Sequence, residues 1–225
     1  MTLTPIAHIR TDFGSKFGVP RQSGVVPQLT ARIVFAPEYR NPDALRGIED
    51  FSHLWLIWHF SEVKQEGWSP TVRPPRLGGN TRMGVFATRS PYRPNPLGLS
   101  SVRLLGVDYD TPEGPVIRVA GADLMDGTPV FDIKPYLSYT DSHPEAAGGF
   151  VTGLTDRSVQ VVCDETHLSG LPKETRTALL AVLAHDPRPT YQNDPERVYG
   201  MEFAGYNVRF TVADGVLTVV EMASL

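Results

Sequence analysis

Apolar and β-branched runs recur at short spacing through the first two-thirds of the chain, at residues 5–10, 31–35, 54–60, 83–88, 101–109, 116–120 and 130–134. Turn residues separate nearly all of them. Strands at this spacing, with no long helical pattern between them, predict a mainly β architecture, an antiparallel barrel or sandwich rather than an alternating parallel sheet. A short helical turn over residues 43–47 is compatible with it. From about residue 150 the pattern changes. A strand is expected at 158–164, followed by a helix over 172–185 whose Leu179, Leu180, Val182 and Leu183 form one apolar stripe, ended by Asp186-Pro187. Two closing runs, 207–212 and 216–222, are joined by Ala213-Asp214-Gly215, and Asp-Gly is a strong hairpin signal. The reading divides the chain into a β domain over residues 1–148 and a small α+β C-terminal domain over 149–225, without internal repeats or low-complexity tracts.

Composition sharpens this picture. With 225 residues, 41% hydrophobic and 20% charged, the chain is of ordinary globular type and not disordered. Its 20 Pro and 20 Gly have no collagen-like period, so they punctuate strands and shape loops. The lone cysteine, Cys163, lies inside an apolar strand pattern and reads as a buried thiol rather than a nucleophile. One cysteine fits a reducing cytoplasm. No charged and apolar leader opens the sequence, and the longest apolar run, residues 54–58, is too short for a bilayer, so neither secretion nor membrane insertion is expected.

The formal net charge of −4 argues against a protein that coats nucleic acid non-specifically. The charge is nevertheless unevenly placed. Residues 67–107 hold six of the 21 basic residues, all arginine (Arg73, Arg76, Arg82, Arg89, Arg93 and Arg103), and none of the 25 acidic ones. Arginine's rigid fork suits phosphate, carboxylate and base edges, although charge alone is equally consistent with a solvated face.

Several chemistries are missing from the sequence. There is no Gly-rich turn between a strand and a helix, no phosphate loop and no nucleophile elbow, and the six histidines show no metal-ligand spacing. No metal site is expected. What remains is a set of stiff polar loops. Gly18 and Gly24 bracket Pro20-Arg21-Gln22, where the backbone turns sharply and exposes Arg and Gln. Phe51-Ser-His-Leu-Trp55 opens an aromatic strand that reads as core. Arg89 leads into a loop where Pro91, Pro94 and Pro96 alternate with Tyr92, Arg93 and Asn95, holding polar side chains in fixed directions. Asp123-Leu-Met-Asp-Gly-Thr-Pro129 puts two carboxylates in one turn, and Asp132-Ile-Lys-Pro-Tyr136 follows it. Asp186-Pro-Arg-Pro-Thr-Tyr191 again combines Arg and an aromatic in a proline-stiffened loop, a pairing suited to RNA phosphates and bases.

In this order and spacing, these motifs, with Arg73-Pro-Pro-Arg76, Gly84-Val-Phe-Ala-Thr-Arg89-Ser and Arg93-Pro-Asn-Pro-Leu-Gly98, resemble the TrmO family of tRNA N6-methyltransferases, also called YaeB-like or TsaA-like. The match is dense up to the Asp132-Ile-Lys-Pro-Tyr136 motif and thinner beyond. The resemblance implies an antiparallel β-barrel in place of the usual Rossmann-like sheet. It also implies transfer of a methyl group from S-adenosylmethionine to N6 of threonylcarbamoyladenosine at position 37 of tRNA, next to the anticodon. A homodimer with the cofactor pocket near the subunit interface is implied as well. The implied cofactor contacts are Pro20, Arg21, Gln22, Ser61, Glu62, Arg89, Leu99, Asp123, Leu124, Met125 and Asp126. At Ser61-Glu62 the chain departs from the His-Gln of other members. Asp126 is the expected proton acceptor, being the carboxylate in the turn closest to the other contacts. Arg93, Asn95, Lys134, Tyr136, Arg188 and Tyr191 are the expected contacts to the anticodon loop. Two rivals need less: a non-catalytic RNA-binding barrel, and a protein that binds S-adenosylmethionine as a signal. Arg89 together with the residue 123–126 turn favours catalysis.

Overall fold

The computed structural model describes residues 2–63, 67–152, 158–189, 192 and 194–225. Six strands close an antiparallel barrel: β1 (Ala7–Arg10), β2 (Thr30–Phe35), β3 (His53–His59), β6 (Leu97–Asp108), β7 (Val116–Ala120) and β8 (Pro129–Pro135), in the circular order β1-β2-β7-β6-β3-β8. Between β3 and β6 the chain leaves the barrel and forms a two-stranded excursion, β4 (Thr71–Val72) and β5 (Met83–Gly84). The run expected as a strand over 83–88 is therefore only two residues of strand followed by a 3-10 turn, Val85–Ala87. The turn buries Val85 and leaves Phe86 outside, which a continuous half-buried strand would not do.

Alternation builds the barrel interior. Along β3, Leu54, Leu56 and Trp58 point inward and meet Ile33, Val102, Ile117, Val119 and Val130 in one buried cluster. Period-two burial of this kind sets the register, since a slip of one residue would turn the whole set outward. Opposite Trp58 on β6 stands Gly98, and a Cβ there would lie 2.2 Å from the indole ring. Only glycine lets Trp58 fold across its partner strand.

The C-terminal part is a second sheet with its own core. After α1 (Ser138–Asp141) come β9 (Gln160–Val162), α2 (Glu165–Leu168), α3 (Lys173–Ala184), β10 (Tyr199–Phe203), β11 (Tyr206–Ala213) and β12 (Val216–Ser224), with sheet order β10-β11-β12-β9. The β11–β12 hairpin turns at Asp214-Gly215, as its residues predict, and β9 joins β12 in parallel. Ala178, Leu179, Val182 and Leu183 of α3 pack on Met201, Phe203, Val208 and Phe210. Cys163 follows β9 and is only partly buried against this core, and desolvation, with the nearby Asp164 and Glu165 carboxylates, pushes its thiol pKa up.

This second core also takes in residues from the loop between β1 and β2. Phe13, Val26 and Leu29 are buried in it, with Phe17, Val19 and Val25 packed at its margin. Phe13 meets Phe203 edge to face, and Phe17 stacks on Phe210. The C-terminal sheet thus holds a loop that belongs, by chain order, to the barrel.

Candidate functional site

At one end of the barrel, the β1–β2 loop, the ends of β3 and β6, the 88–93 loop and the 123–128 turn enclose a pocket of about 970 Å³. That is in the size range of small-molecule and cofactor sites. Trp55, Trp58 and Phe60 supply apolar walls, Lys16, Arg21, Arg89 and Arg93 supply cations, and Glu62 and Asp123 supply carboxylates.

Asp123 is held from within the barrel. The Trp58 indole N–H donates to Ser100 Oγ at 3.0 Å, and Ser100 donates in turn to Asp123 Oδ1 at 2.6 Å. Ser100 is fully buried, so its hydroxyl has no water to turn to and this chain of bonds fixes its direction. Desolvation raises the Asp123 pKa above the ordinary 3.8. The Ser100 hydroxyl, the Asp123 and Ser23 backbone amides and the charge of Arg89 pull the other way without cancelling it.

Beside Asp123, the loop that carries Ser23 meets Arg89: Arg89 Nη1 donates to Gln22 Oε1, and Gln22 Nε2 donates to the Arg21 carbonyl. Arg93 Nη1 is bound at 3.0 Å by both the Thr88 and Ser90 carbonyls, so this guanidinium braces the loop that carries it. Arg21 reaches across to the C-terminal part, where its Nη2 donates to the Arg188 carbonyl at 3.0 Å. Asp186 and Arg188, both buried, form a two-pronged ion pair at 2.8 and 2.9 Å beneath it. The position of Arg21 in the pocket therefore depends on the second core from two directions: Phe17 and Val19 before it in sequence, and the carbonyl of Arg188 at its tip.

The structure brings Pro20, Arg21, Gln22, Ser61, Glu62, Arg89, Leu99, Asp123, Leu124 and Met125 around this one pocket. Asp126 is placed elsewhere. Its carboxylate accepts from the Thr11 amide at 3.0 Å and pairs with Arg10 at 3.4 Å, and it faces a second cavity at the junction with the C-terminal sheet. There burial raises the pKa of Asp12, and the Asp126 charge adds to the shift. Asp126 is expected in the pocket, but the structure seats Asp123 there instead, because the turn is stitched to β1 and the residues after it: Asp126 N–H donates to the Phe13 carbonyl and Gly127 N–H to that of Ile9.

Arg188, expected at the anticodon loop, is buried in the C-terminal part. A buried guanidinium already forked onto Asp186 is not presented to RNA phosphates. Arg93 lines the pocket, whereas Asn95 is exposed beyond it. Lys134 pairs with Asp132 at 3.0 Å on the outer face of β8, and Tyr136 packs on His53 and Trp55. Tyr191 lies outside the described residues.

Trp55, His59, Thr88 and Tyr92 line the pocket and were not singled out as site residues. The aromatic strand reads as core from its composition, but strict alternation sends Trp55 and His59 to the face opposite Leu54, Leu56 and Trp58. That alternation is the signal that finds them.

The described residues thus form a closed antiparallel barrel with a charged pocket at its mouth and no dinucleotide-type parallel sheet. Residues 8–142 match the family model described as the tRNA-methyltransferase O N-terminal domain, and residues 158–225 match the TrmO C-terminal domain. The chain belongs to the TrmO family. It is 42% identical over 217 residues to the tRNA (adenine(37)-N6)-methyltransferase of Escherichia coli K12, which covers 93% of this chain and 92% of that protein. It is 37% identical to a putative S-adenosylmethionine-dependent methyltransferase, RcsF, of Pseudomonas aeruginosa PAO1, over 93% of this chain and 91% of that one. Among solved structures, a crystal structure of TrmO from Pseudomonas aeruginosa superposes with a TM-score of 0.79 at 30% identity, covering 100% of this chain and 99% of that chain.

Two substitutions test this geometry. Ser100→Ala leaves the buried Trp58 N–H without an acceptor and is expected to lower the unfolding free energy by about 1–3 kcal/mol in urea titrations. Because the Ser100 bond depresses the Asp123 pKa, its loss raises that pKa further. The folded state then keeps a proton that the unfolded state has lost over a wider window above pH 3.8, and stability falls with rising pH across that window. Arg188→Ala strands the buried Asp186 carboxylate and is expected to cost about 3–5 kcal/mol of stability. It leaves the salt slope of RNA binding unchanged, whereas a phosphate contact would reduce that slope by about one.

Proposed function

We propose that this chain transfers a methyl group from S-adenosylmethionine to N6 of threonylcarbamoyladenosine at position 37 of tRNA. The observation that carries the reading is Asp123, a partly buried carboxylate with a raised pKa that shares a pocket of cofactor size with Arg21 and Arg89. The names of the Escherichia coli and Pseudomonas aeruginosa relatives support the same reaction class.

The residues present fit the cofactor. Its carboxylate suits the guanidinium forks of Arg21 and Arg89, its cationic and hydroxyl groups suit Asp123, and its flat base suits the aromatic residues of the lining. Pro20, Gln22, Leu99, Leu124 and Met125 close the remaining sides, and Ser61 and Glu62 offer polar atoms where other members carry His-Gln. When bound, the cofactor supplies an electrophilic methyl whose sulfur leaving group needs no acid.

What the chain must add is alignment and the handling of one proton. The target nitrogen is part of a urea and its lone pair is delocalised, so a group that takes its proton as the new bond forms lowers the barrier. Asp123 performs this step. Its raised pKa makes it a stronger acceptor than an ordinary carboxylate, and Ser100 keeps the carboxylate from turning away. Arg89, tied to Gln22, holds the neighbouring β1–β2 loop still while this happens.

A homodimer accords with the outer face beside the pocket. There Leu99 is 55% exposed and pairs across the strands with Ile57, next to Trp55. A cytoplasmic setting accords with tRNA as substrate and with the lone Cys163.

Mass spectrometry of nucleosides from tRNA incubated with the protein and labelled cofactor is expected to show one added methyl on the hypermodified adenosine. Binding of that tRNA without any mass gain would return the RNA-binding barrel as the better reading. Asp123→Asn is expected to lower the single-turnover rate by roughly 100-fold or more, with Asp126→Asn retaining it. A near-normal rate for Asp123→Asn removes the proton-accepting role.

A further inference from the structure

The excursion between β3 and β6 carries an aromatic feature that the pocket does not use. Trp68 and Phe86 stack with ring centroids 6.1 Å apart and planes 22° from parallel, yet Trp68 is 49% and Phe86 72% exposed. Leaving two large rings in water is unfavourable, and apolar surface presented in this way marks an interaction site.

The pair is built, not incidental. β4 and β5 pair Thr71 with Gly84 and Val72 with Met83, and the Val85 amide donates to the Pro70 carbonyl at 3.0 Å. Buried Val85 anchors the turn, so the next residue, Phe86, is forced outward. On the other strand the Ser69 amide donates to the Tyr92 carbonyl at 3.3 Å, tying Trp68 to the loop that lines the pocket. Phe86 stands two residues before Thr88 and three before Arg89, both in the pocket wall.

The surroundings select the occupant. Arg73 and Arg82 lie exposed on the same excursion, Arg82 reaching Thr71 Oγ1 at 3.4 Å, and no acidic residue occurs between positions 67 and 107. Flat rings set among arginines complement unpaired nucleotides, whose bases stack on aromatic faces while their phosphates meet guanidinium groups. We propose that Trp68 and Phe86 form a platform on which an unpaired anticodon-loop base next to the target adenosine stacks, keeping the loop splayed while the target enters the pocket. The platform rests on the tRNA reading above and adds to it a stacking site outside the cofactor pocket.

The test uses the full chain and an anticodon stem-loop RNA that carries threonylcarbamoyladenosine at the target position and 2-aminopurine at the loop position 3′ of it. Trp68→Ala and Phe86→Ala are each expected to weaken RNA affinity by roughly tenfold. They raise KM for RNA with kcat retained, leave cofactor affinity unchanged, and remove the quenching of 2-aminopurine seen with the unaltered protein. Trp68→Phe restores most of the affinity. Unchanged RNA affinity in the double alanine variant overturns the platform. So does a loss of affinity that accompanies dissociation into monomers in sedimentation, since a second copy of the chain would then be the occupant. Quenching by an unaltered protein that never methylates the RNA keeps the platform and refutes the methyltransferase reading instead.

Discussion

A carboxylate that must stay partly out of water is the constraint around which this molecule is arranged. Asp123 sits at the mouth of a barrel whose interior supplies its hydrogen-bond donor: Trp58 fixes Ser100, and Ser100 fixes Asp123. The arrangement works only if the indole can lie across β6, which requires Gly98 at that crossing. A packing choice deep in the core therefore sets the direction and proton affinity of a group in the pocket. Removing water from a charged group is costly, and the chain limits that cost with four donors and charges while leaving the pKa raised.

The β1–β2 loop beside Asp123 depends on a different core. The β1–β2 loop delivers Arg21 and Gln22, but its apolar residues are buried among those of the C-terminal sheet. The buried Asp186–Arg188 pair sits beneath the carbonyl that receives Arg21. Asp186 adopts a positive φ of 45° to do this, a conformation uncommon outside glycine. The C-terminal part is thus a brace for the pocket as well as a separate sheet. Two cores, each stabilised by its own burial, meet at one pocket and position the carboxylate and the arginines that line it.

Much of this was legible before any coordinates. The strands of the barrel announce themselves by alternation, most clearly in Leu54, Leu56 and Trp58, and the closing hairpin by Asp214-Gly215. The residue 83–88 run misleads because its apolar residues serve a buried anchor and an exposed ring in succession. The parallel β9–β12 pairing has no local signature, since nothing in a strand of three residues names its partner. β10 was missed although Tyr199, Met201 and Phe203 alternate, because Gly200 and Glu202 are poor strand residues. Within the site, residue types were readable and directions were not. Asp123 and Asp126 share a turn, and what separates them is that Ser100 claims one while Thr11 and Arg10 claim the other. Arg188 carries the composition of an RNA contact, yet Asp186, two residues away, turns it inward.

The account rests on the protonation behaviour of Asp123, which a carboxyl carbon NMR titration of the selectively labelled, folded protein reads directly. It predicts a midpoint above the ordinary aspartate value of 3.8. A midpoint at or below that value would mean that solvent and donors outweigh burial at this site, and the role assigned to this carboxylate would fail.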